Sequence, residues 1–108
     1  MTRFSLIYDP EWRIQEQALN LLRNLACGRD EAAFERVFQG MDKELTRILQ
    51  SKLNSPVDEV LIQTLYVIVN IAASGQRYKS EIMANEPILR GIYFNLVRQN
   101  TVVSWFLF

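Results

Sequence analysis

The feature that most constrains this chain is an internal repetition, because one order of helices, long then short then medium, is written twice in 108 residues. Set against each other at an offset of 46, the two long segments match at Pro10 and Pro56, Gln17 and Gln63, Leu19 and Leu65, Asn24 and Asn70, and Ala26 and Ala72. Ile14 with Val60, Leu22 with Ile68 and Leu25 with Ile71 keep apolar character at the same offset. Val37 and Phe38 then meet Ile82 and Met83 at offset 45, and Leu45 and Ile48 meet Leu89 and Ile92 at offset 44, so the loops absorb the drift. A period of this length with three helices per unit implies an all-α chain of about two three-helix units from a helical repeat array. Each such unit leaves apolar surface that only a neighbouring unit can bury.

Apolar spacing locates the helices. Ile14, Ala18, Leu21, Leu22 and Leu25 lie at offsets 0, 4, 7, 8 and 11, one face of a helix. Asp9 as N-cap, Pro10 at the first helical position and Gly28 as C-cap are its expected limits. A short helix, EAAFERVFQ, comes after Asp30 with Phe34, Val37 and Phe38 on one face and ends at Gly40. Asp42 opens the medium helix, whose inner face reads Leu45, Ile48, Leu49 and Leu53 until Asn54-Ser55-Pro56 interrupts. In the second unit a long helix runs from Val57 to near Gly75, a short one covers RYKSEIMA, and a third behind Glu86-Pro87 has Leu89, Ile92, Tyr93 and Leu96 as its expected inner face. Val60, Leu61, Ile62, Leu65, Val67, Ile68, Val69 and Ile71 leave the second long helix little polar surface, as expected of a helix enclosed on every side.

Against this apolar background a polar stripe stands out. Arg13, Gln17, Asn20 and Asn24 fall at offsets 0, 4, 7 and 11, and the second unit repeats the stripe as Glu59, Gln63, Tyr66 and Asn70. Asparagine is a poor residue inside a helix because its amide competes for backbone groups, so its return at the same register calls for a reason. Two readings account for it. The amides face an open groove and hydrogen-bond the backbone of an extended partner segment. Alternatively Asn24 and Asn70 brace the turn that ends each long helix, by satisfying carbonyls near Gly28 and Gly75.

Composition narrows the function classes. Twelve basic residues balance twelve acidic ones without a long run of either sign, which speaks against a nucleic-acid surface. No apolar stretch reaches the roughly 18 to 20 residues that span a bilayer, and MTRFSLIY is too briefly apolar for a secretory signal. No membrane association is expected, and the reading is of a soluble intracellular protein. The chain has no histidine, which removes the commonest general base and zinc ligand. Asp58 with Glu59 and Asp30 with Glu31 sit at helix starts, where the macrodipole favours negative charge. Gly28, Gly40, Gly75 and Gly91 are isolated and form no phosphate-binding loop. The single Cys27 cannot form an internal disulfide and reads as a buried packing residue. No enzyme activity, cofactor, metal or small-molecule substrate is expected.

The segments QEQALNLLRNLA and LIQTLYVIVNIA resemble the third helix of an armadillo repeat, with Asn24 and Asn70 at that family's groove asparagine and Tyr66 at the aromatic position one turn earlier. Asn20 occupies the aromatic position in the first unit and departs from the pattern. More narrowly, IQEQALNLLRNLACG, VFQGM and KLNSPVDEVLIQTLYVIVNIA are similar to the armadillo repeat-containing protein eight family, over roughly residues 9 to 96. That family supplies the armadillo subunit of the CTLH complex, called GID in yeast, a RING-type ubiquitin ligase. The resemblance implies a right-handed armadillo superhelix and a non-catalytic scaffold that links ligase core subunits to a substrate receptor in protein catabolism. It also implies a cytoplasmic and nuclear location, with Gln17, Asn20, Asn24, Gln63, Tyr66 and Asn70 as groove contacts. A peptide receptor of the importin or catenin kind, holding its ligand in the same groove, is the alternative.

Residues 9–100 form the expected repeat segment, with 1–8 as the incoming end of a preceding unit. The tail 101–108, TVVSWFLF, falls outside the pattern, since the next long helix should begin here with charged and glutamine residues. The expectation is a truncated or misjoined product of a longer coding sequence, with apolar surface exposed at both ends. A partner-binding hook is the other reading of the tail.

Overall fold

The computed structural model describes residues 5–27, 32, 35–36, 42–74 and 78–98, and all regular structure among them is helical. A 3-10 turn at Ser5–Tyr8 leads to α1 (Trp12–Leu25), α2 (Asp42–Lys52), α3 (Asp58–Ser74), α4 (Tyr78–Met83) and α5 (Glu86–Arg98). Of the expected short helix only residues 32, 35 and 36 are described, all of them helical, and Phe34, Val37 and Phe38 lie outside the described residues.

The core is built around α3, which packs on α1, α2 and α4, while α5 closes against α2 and α4. Val60, Leu61, Leu65, Val67, Ile68 and Ile71 are all buried, but Ile62 is only half-buried and Val69 is 43% exposed, so α3 is covered over most of its apolar surface and not on every side as expected. Each such side chain contributes about 1.5–3 kcal/mol by leaving water. Thr64 is also buried, and it satisfies its hydroxyl by donating to Val60 O at 2.9 Å. On α2 the expected inner residues Leu45, Ile48, Leu49 and Leu53 are buried without exception.

Two helices present faces other than those expected. On α1 the inward residues are Leu19 and Leu22, with Ala26 just beyond, whereas Ile14 is exposed and Leu21 is 66% exposed. The helix also starts later than Pro10, because Glu11, in extended conformation, accepts from Arg13 N and is the N-cap. Asp9 instead accepts from Glu11 N at 2.9 Å. At the other end the C-cap is Ala26, whose N–H donates to Leu22 O while the Cys27 N–H donates to Asn24 O, so the helix stops before Gly28. Cys27 comes next and is exposed rather than buried.

The second difference is on α5. Ile88 and Asn95 are fully buried and Ile92 packs against the core, while Leu89, Tyr93 and Leu96 face outward. The orientation of the helix is decided by Gly91. A Cβ there would stand 3.1 Å from Leu53 Cδ1 and 3.2 Å from Leu53 Cβ, so glycine lets α5 lie directly on the end of α2. Asn95 then donates to Leu53 O at 2.9 Å and to Gly91 O at 2.8 Å, satisfying a carbonyl at the end of α2. Asn85 caps the start of α5 by accepting from Ile88 N and accepts from Gln50 across to α2.

The repetition therefore carries an asymmetry. Leu45, Leu49 and Leu53 are covered by α5 and neighbours, yet their equivalents 44 residues on, Leu89, Tyr93 and Val97, are exposed. Likewise Val60 and Val67 are buried while their equivalents 46 residues earlier, Ile14 and Leu21, are not. Each unit buries its ridge only where the other unit lies against it.

One cation enters the core. Lys52 is buried at the junction of α2 with the 3-10 turn, donating to Gln15 Oε1 at 3.1 Å and standing 4.9 Å from the centre of the Tyr8 ring. Burial holds its pKa below the ordinary 10.5. Burial, and then the negative charge of Glu44, raise that of Tyr8 above 10.0.

This packing sets two measurable outcomes. Asn95→Ala should lower stability by about 1–3 kcal/mol in urea unfolding, because Leu53 O loses its buried donor. As pH approaches 10.5 the unfolded chain still holds the Lys52 proton that the folded chain has released, so this residue makes stability rise with pH. Tyr8 acts oppositely above pH 10.0, where the unfolded chain loses its proton first. The stability difference between the native sequence and Lys52→Met should therefore grow in favour of the native sequence as pH rises toward 10.5; a flat difference would contradict it.

Candidate functional site

The polar stripe lies where α1 and α3 run side by side, and their contact decides how its members are held. Asn20 Nδ2 donates to Gln63 Oε1 at 3.4 Å, and Arg23 donates to the same oxygen at 3.3 Å. Asn24 Nδ2 donates to Asn20 Oδ1 at 3.4 Å. Asn70 Nδ2 donates to Arg23 O at 3.0 Å. A polar seam thus crosses between the two units and draws together Asn20, Asn24, Gln63 and Asn70.

The distances rank these bonds. At 3.4 Å the amide pairs are beyond the usual range for N–H···O bonds, so they are weak and easily exchanged for a competing partner. Asn70 makes the well-formed bond, to a carbonyl in the last turn of α1, where carbonyls lack donors from their own helix. That carbonyl belongs to the neighbouring long helix, not to the end of α3 itself. Gln63 Oε1 takes two donors, from Asn20 and Arg23, and so has its acceptor capacity filled.

Arg23 is the member that stripe spacing did not find. Its guanidinium lies 3.8 Å from the centre of the Tyr66 ring, donates to Gln63, and its carbonyl receives Asn70. The repeat alignment concealed it, since the equivalent position in the second unit is Val69. Its spacing of three from Asn20 was the available signal. Among the described residues no carboxylate pairs with Arg23, so the seam carries a positive charge held over an aromatic face.

The remaining members stand apart from this cluster. Gln17 and Glu59 are exposed. Arg13 lies at the outer end of α1, paired with Glu11 at 3.3 Å and placed 4.7 Å from the Trp12 ring centre. Among the described residues no group of histidine, cysteine, aspartate or glutamate is arranged to hold a metal ion, and no helix is long and apolar enough to cross a membrane. The seam offers amide donors and acceptors, one aromatic face and one guanidinium. Such groups can donate and accept hydrogen bonds and hold a cation against a ring face.

The chain is similar to GID complex subunit 5 of Schizosaccharomyces pombe. The two are 30% identical over 84 residues, which is 78% of this chain and 11% of GID complex subunit 5. The chain therefore spans about a tenth of that protein's length, and the similarity supports a GID-related family at the level of this segment. No family model matches the chain. No solved structure matches it either.

The seam distinguishes a bracing residue from open ones. Asn70→Ala and Asn24→Ala make the same change in helix propensity, so their difference isolates the Asn70 bond. Asn70→Ala should be about 1 kcal/mol less stable than Asn24→Ala in denaturant unfolding. Equal midpoints would show that the bond to Arg23 O contributes nothing.

Proposed function

We propose that this chain is a segment of an armadillo-type right-handed superhelix that acts as a non-catalytic adaptor in a GID-type ubiquitin ligase, linking a substrate receptor to the RING-type core. The observation that carries this reading is the polar seam. Its amides and the Arg23–Tyr66 pair run along paired long helices, within a segment similar to GID complex subunit 5. The absence of histidine and the chemistry of the seam support a binding surface and not a reaction centre.

In this reading an extended tail of the receptor lies along the seam. Gln17 and Asn24, exposed and loosely held, hydrogen-bond its backbone, and Gln63 adds its amide N–H groups. Asn20 exchanges its long bond to Gln63 for the ligand. Arg23 receives a carbonyl or carboxylate of the receptor, and Tyr66 backs it. Asn70 contributes chiefly by locking the two long helices in register. Arg13 and Glu59 mark the outer end of the same face. The protein would work in the cytoplasm and nucleus, as part of protein catabolism.

The test is co-purification of the tagged chain with ligase subunits from cell extract, paired with binding to an isolated receptor. Gln17→Ala with Asn24→Ala should weaken receptor capture about thirtyfold, since each of the two lost hydrogen bonds is worth about 1 kcal/mol. Helicity should be unchanged. Arg23→Gln should weaken capture and flatten its dependence on salt. Recovery of nuclear-import or adhesion cargo with no ligase subunit would replace this reading by a peptide receptor of the importin or catenin kind.

A further inference from the structure

The outer face of α5 repeats a ridge whose covered form lies inside the same molecule. Leu89, Tyr93 and Val97 are the equivalents, 44 residues on, of Leu45, Leu49 and Leu53, which are buried where α5 and its neighbours pack on α2. On α5 the ridge is open, with Tyr93 69% and Val97 68% exposed. A hollow of about 540 Å³ beside it is lined by Leu89, Arg90, Tyr93, Phe94 and Val97. Arg90 pairs with Glu86, so the ridge itself presents an apolar surface of the kind that marks an interaction site. We propose that it docks a helix from another repeat unit, one that carries an apolar residue, a glycine and an asparagine at offsets 0, 3 and 7.

The chemistry of that helix follows from the way α5 covers α2. Ile88, Gly91 and Asn95 stand at those offsets and share one face. Ile88 is fully buried, and Gly91 lies so close on Leu53 that a Cβ would stand 3.1 Å from Leu53 Cδ1. Asn95 donates to Leu53 O at 2.9 Å, at the end of α2. The equivalent of Leu53 is Val97, whose carbonyl belongs to the last turn of α5, where carbonyls lack donors from their own helix. A docked asparagine therefore meets the same kind of acceptor, and the glycine four residues before it lets the two backbones approach over Val97. One position departs from the template. Gln50 donates to Asn85 of α5, whereas its equivalent is Phe94, 54% exposed, so the contact at that point is apolar in place of polar.

A second copy of this chain does not supply such a helix. Its own Ile88, Gly91 and Asn95 face its α2, and the equivalent positions on α2 are Glu44, Arg47 and Ser51. Glu44 and Arg47 pair with each other at 3.3 Å, and neither side chain permits the close approach that Gly91 makes. The occupant is a separate unit with the face that α5 turns to α2. No residue of the seam lies on α5, so this inference and the adaptor reading fail separately.

The probe is a fluorescein-labelled, hydrocarbon-stapled helix of residues 86–98 with Leu89→Lys, Tyr93→Glu, Phe94→Gln and Val97→Lys, which leaves the face of Ile88, Gly91 and Asn95 as its binding surface. Fluorescence anisotropy should show saturable binding to the whole chain. Val97→Asp in the chain should weaken binding at least tenfold with helicity unchanged, because Val97 already stands in water. Leu21→Asp, on the open face of α1, should leave binding as it was. In the probe, Asn95→Leu should weaken binding about fivefold, the effect of one lost hydrogen bond of about 1 kcal/mol, and Gly91→Leu should weaken it further. No saturable binding, indifference to Val97→Asp, or equal binding by the parent probe and its Asn95 and Gly91 variants would each overturn the proposal. So would association of the chain with itself on light scattering that Val97→Asp abolishes, which would make a second copy the occupant.

Discussion

Everything in this molecule depends on enclosing one helix. Outside the polar stripe of Glu59, Gln63, Tyr66 and Asn70, α3 is apolar, and α1, α2 and α4 lie against it together to bury most of that surface. This requirement draws the first unit onto the second and makes their junction the core. It also explains why the bridging amides are gathered in one seam. Along the line where α1 and α3 meet the surface, the long amide side chains are the ones that can reach both helices while staying partly in water.

The seam combines a structural bond and a binding opportunity at the same register. Asn70 ties α3 to a carbonyl of α1 at 3.0 Å, whereas the Asn20 and Asn24 bonds are long and replaceable. Charge adds direction. Arg23 over Tyr66 is a cation without a carboxylate among the described residues, and it sits beside the open amides. The asymmetry between units shapes α5 as well, because the ridge that α5 covers on α2 recurs uncovered on α5 itself.

Much of the fold was legible in the residues. The inner face of α2, the burial of most of the apolar surface of α3 and the limits of α3 near Asp58 and Ser74 come from spacing and turn residues alone. The faces of α1 and α5 were not legible, for a common reason. Apolar residues on these helices extend over more than one face, so periodicity admits two orientations. Gly91 could be read as a blemish inside a helix, while its part in setting the orientation of α5 requires knowing that Leu53 lies 3.1 Å from the missing Cβ. The start of α1 shows the same limit locally, since Asp9 and Glu11 are both able caps and the backbone conformation chose Glu11.

The sequence by itself determined the helical content, the two-unit repetition and the register that aligns Gln17, Asn20 and Asn24 with Gln63, Tyr66 and Asn70. These rest on chain-local periodicity, which packing does not alter. Tertiary structure alone decided which apolar faces are buried, that Arg23 joins the seam, and that Asn70 is engaged while Gln17 stays open. Those outcomes depend on contacts between residues far apart in the chain, such as Asn70 with Arg23 and Asn95 with Leu53, and periodicity carries no record of which distant group a side chain will meet.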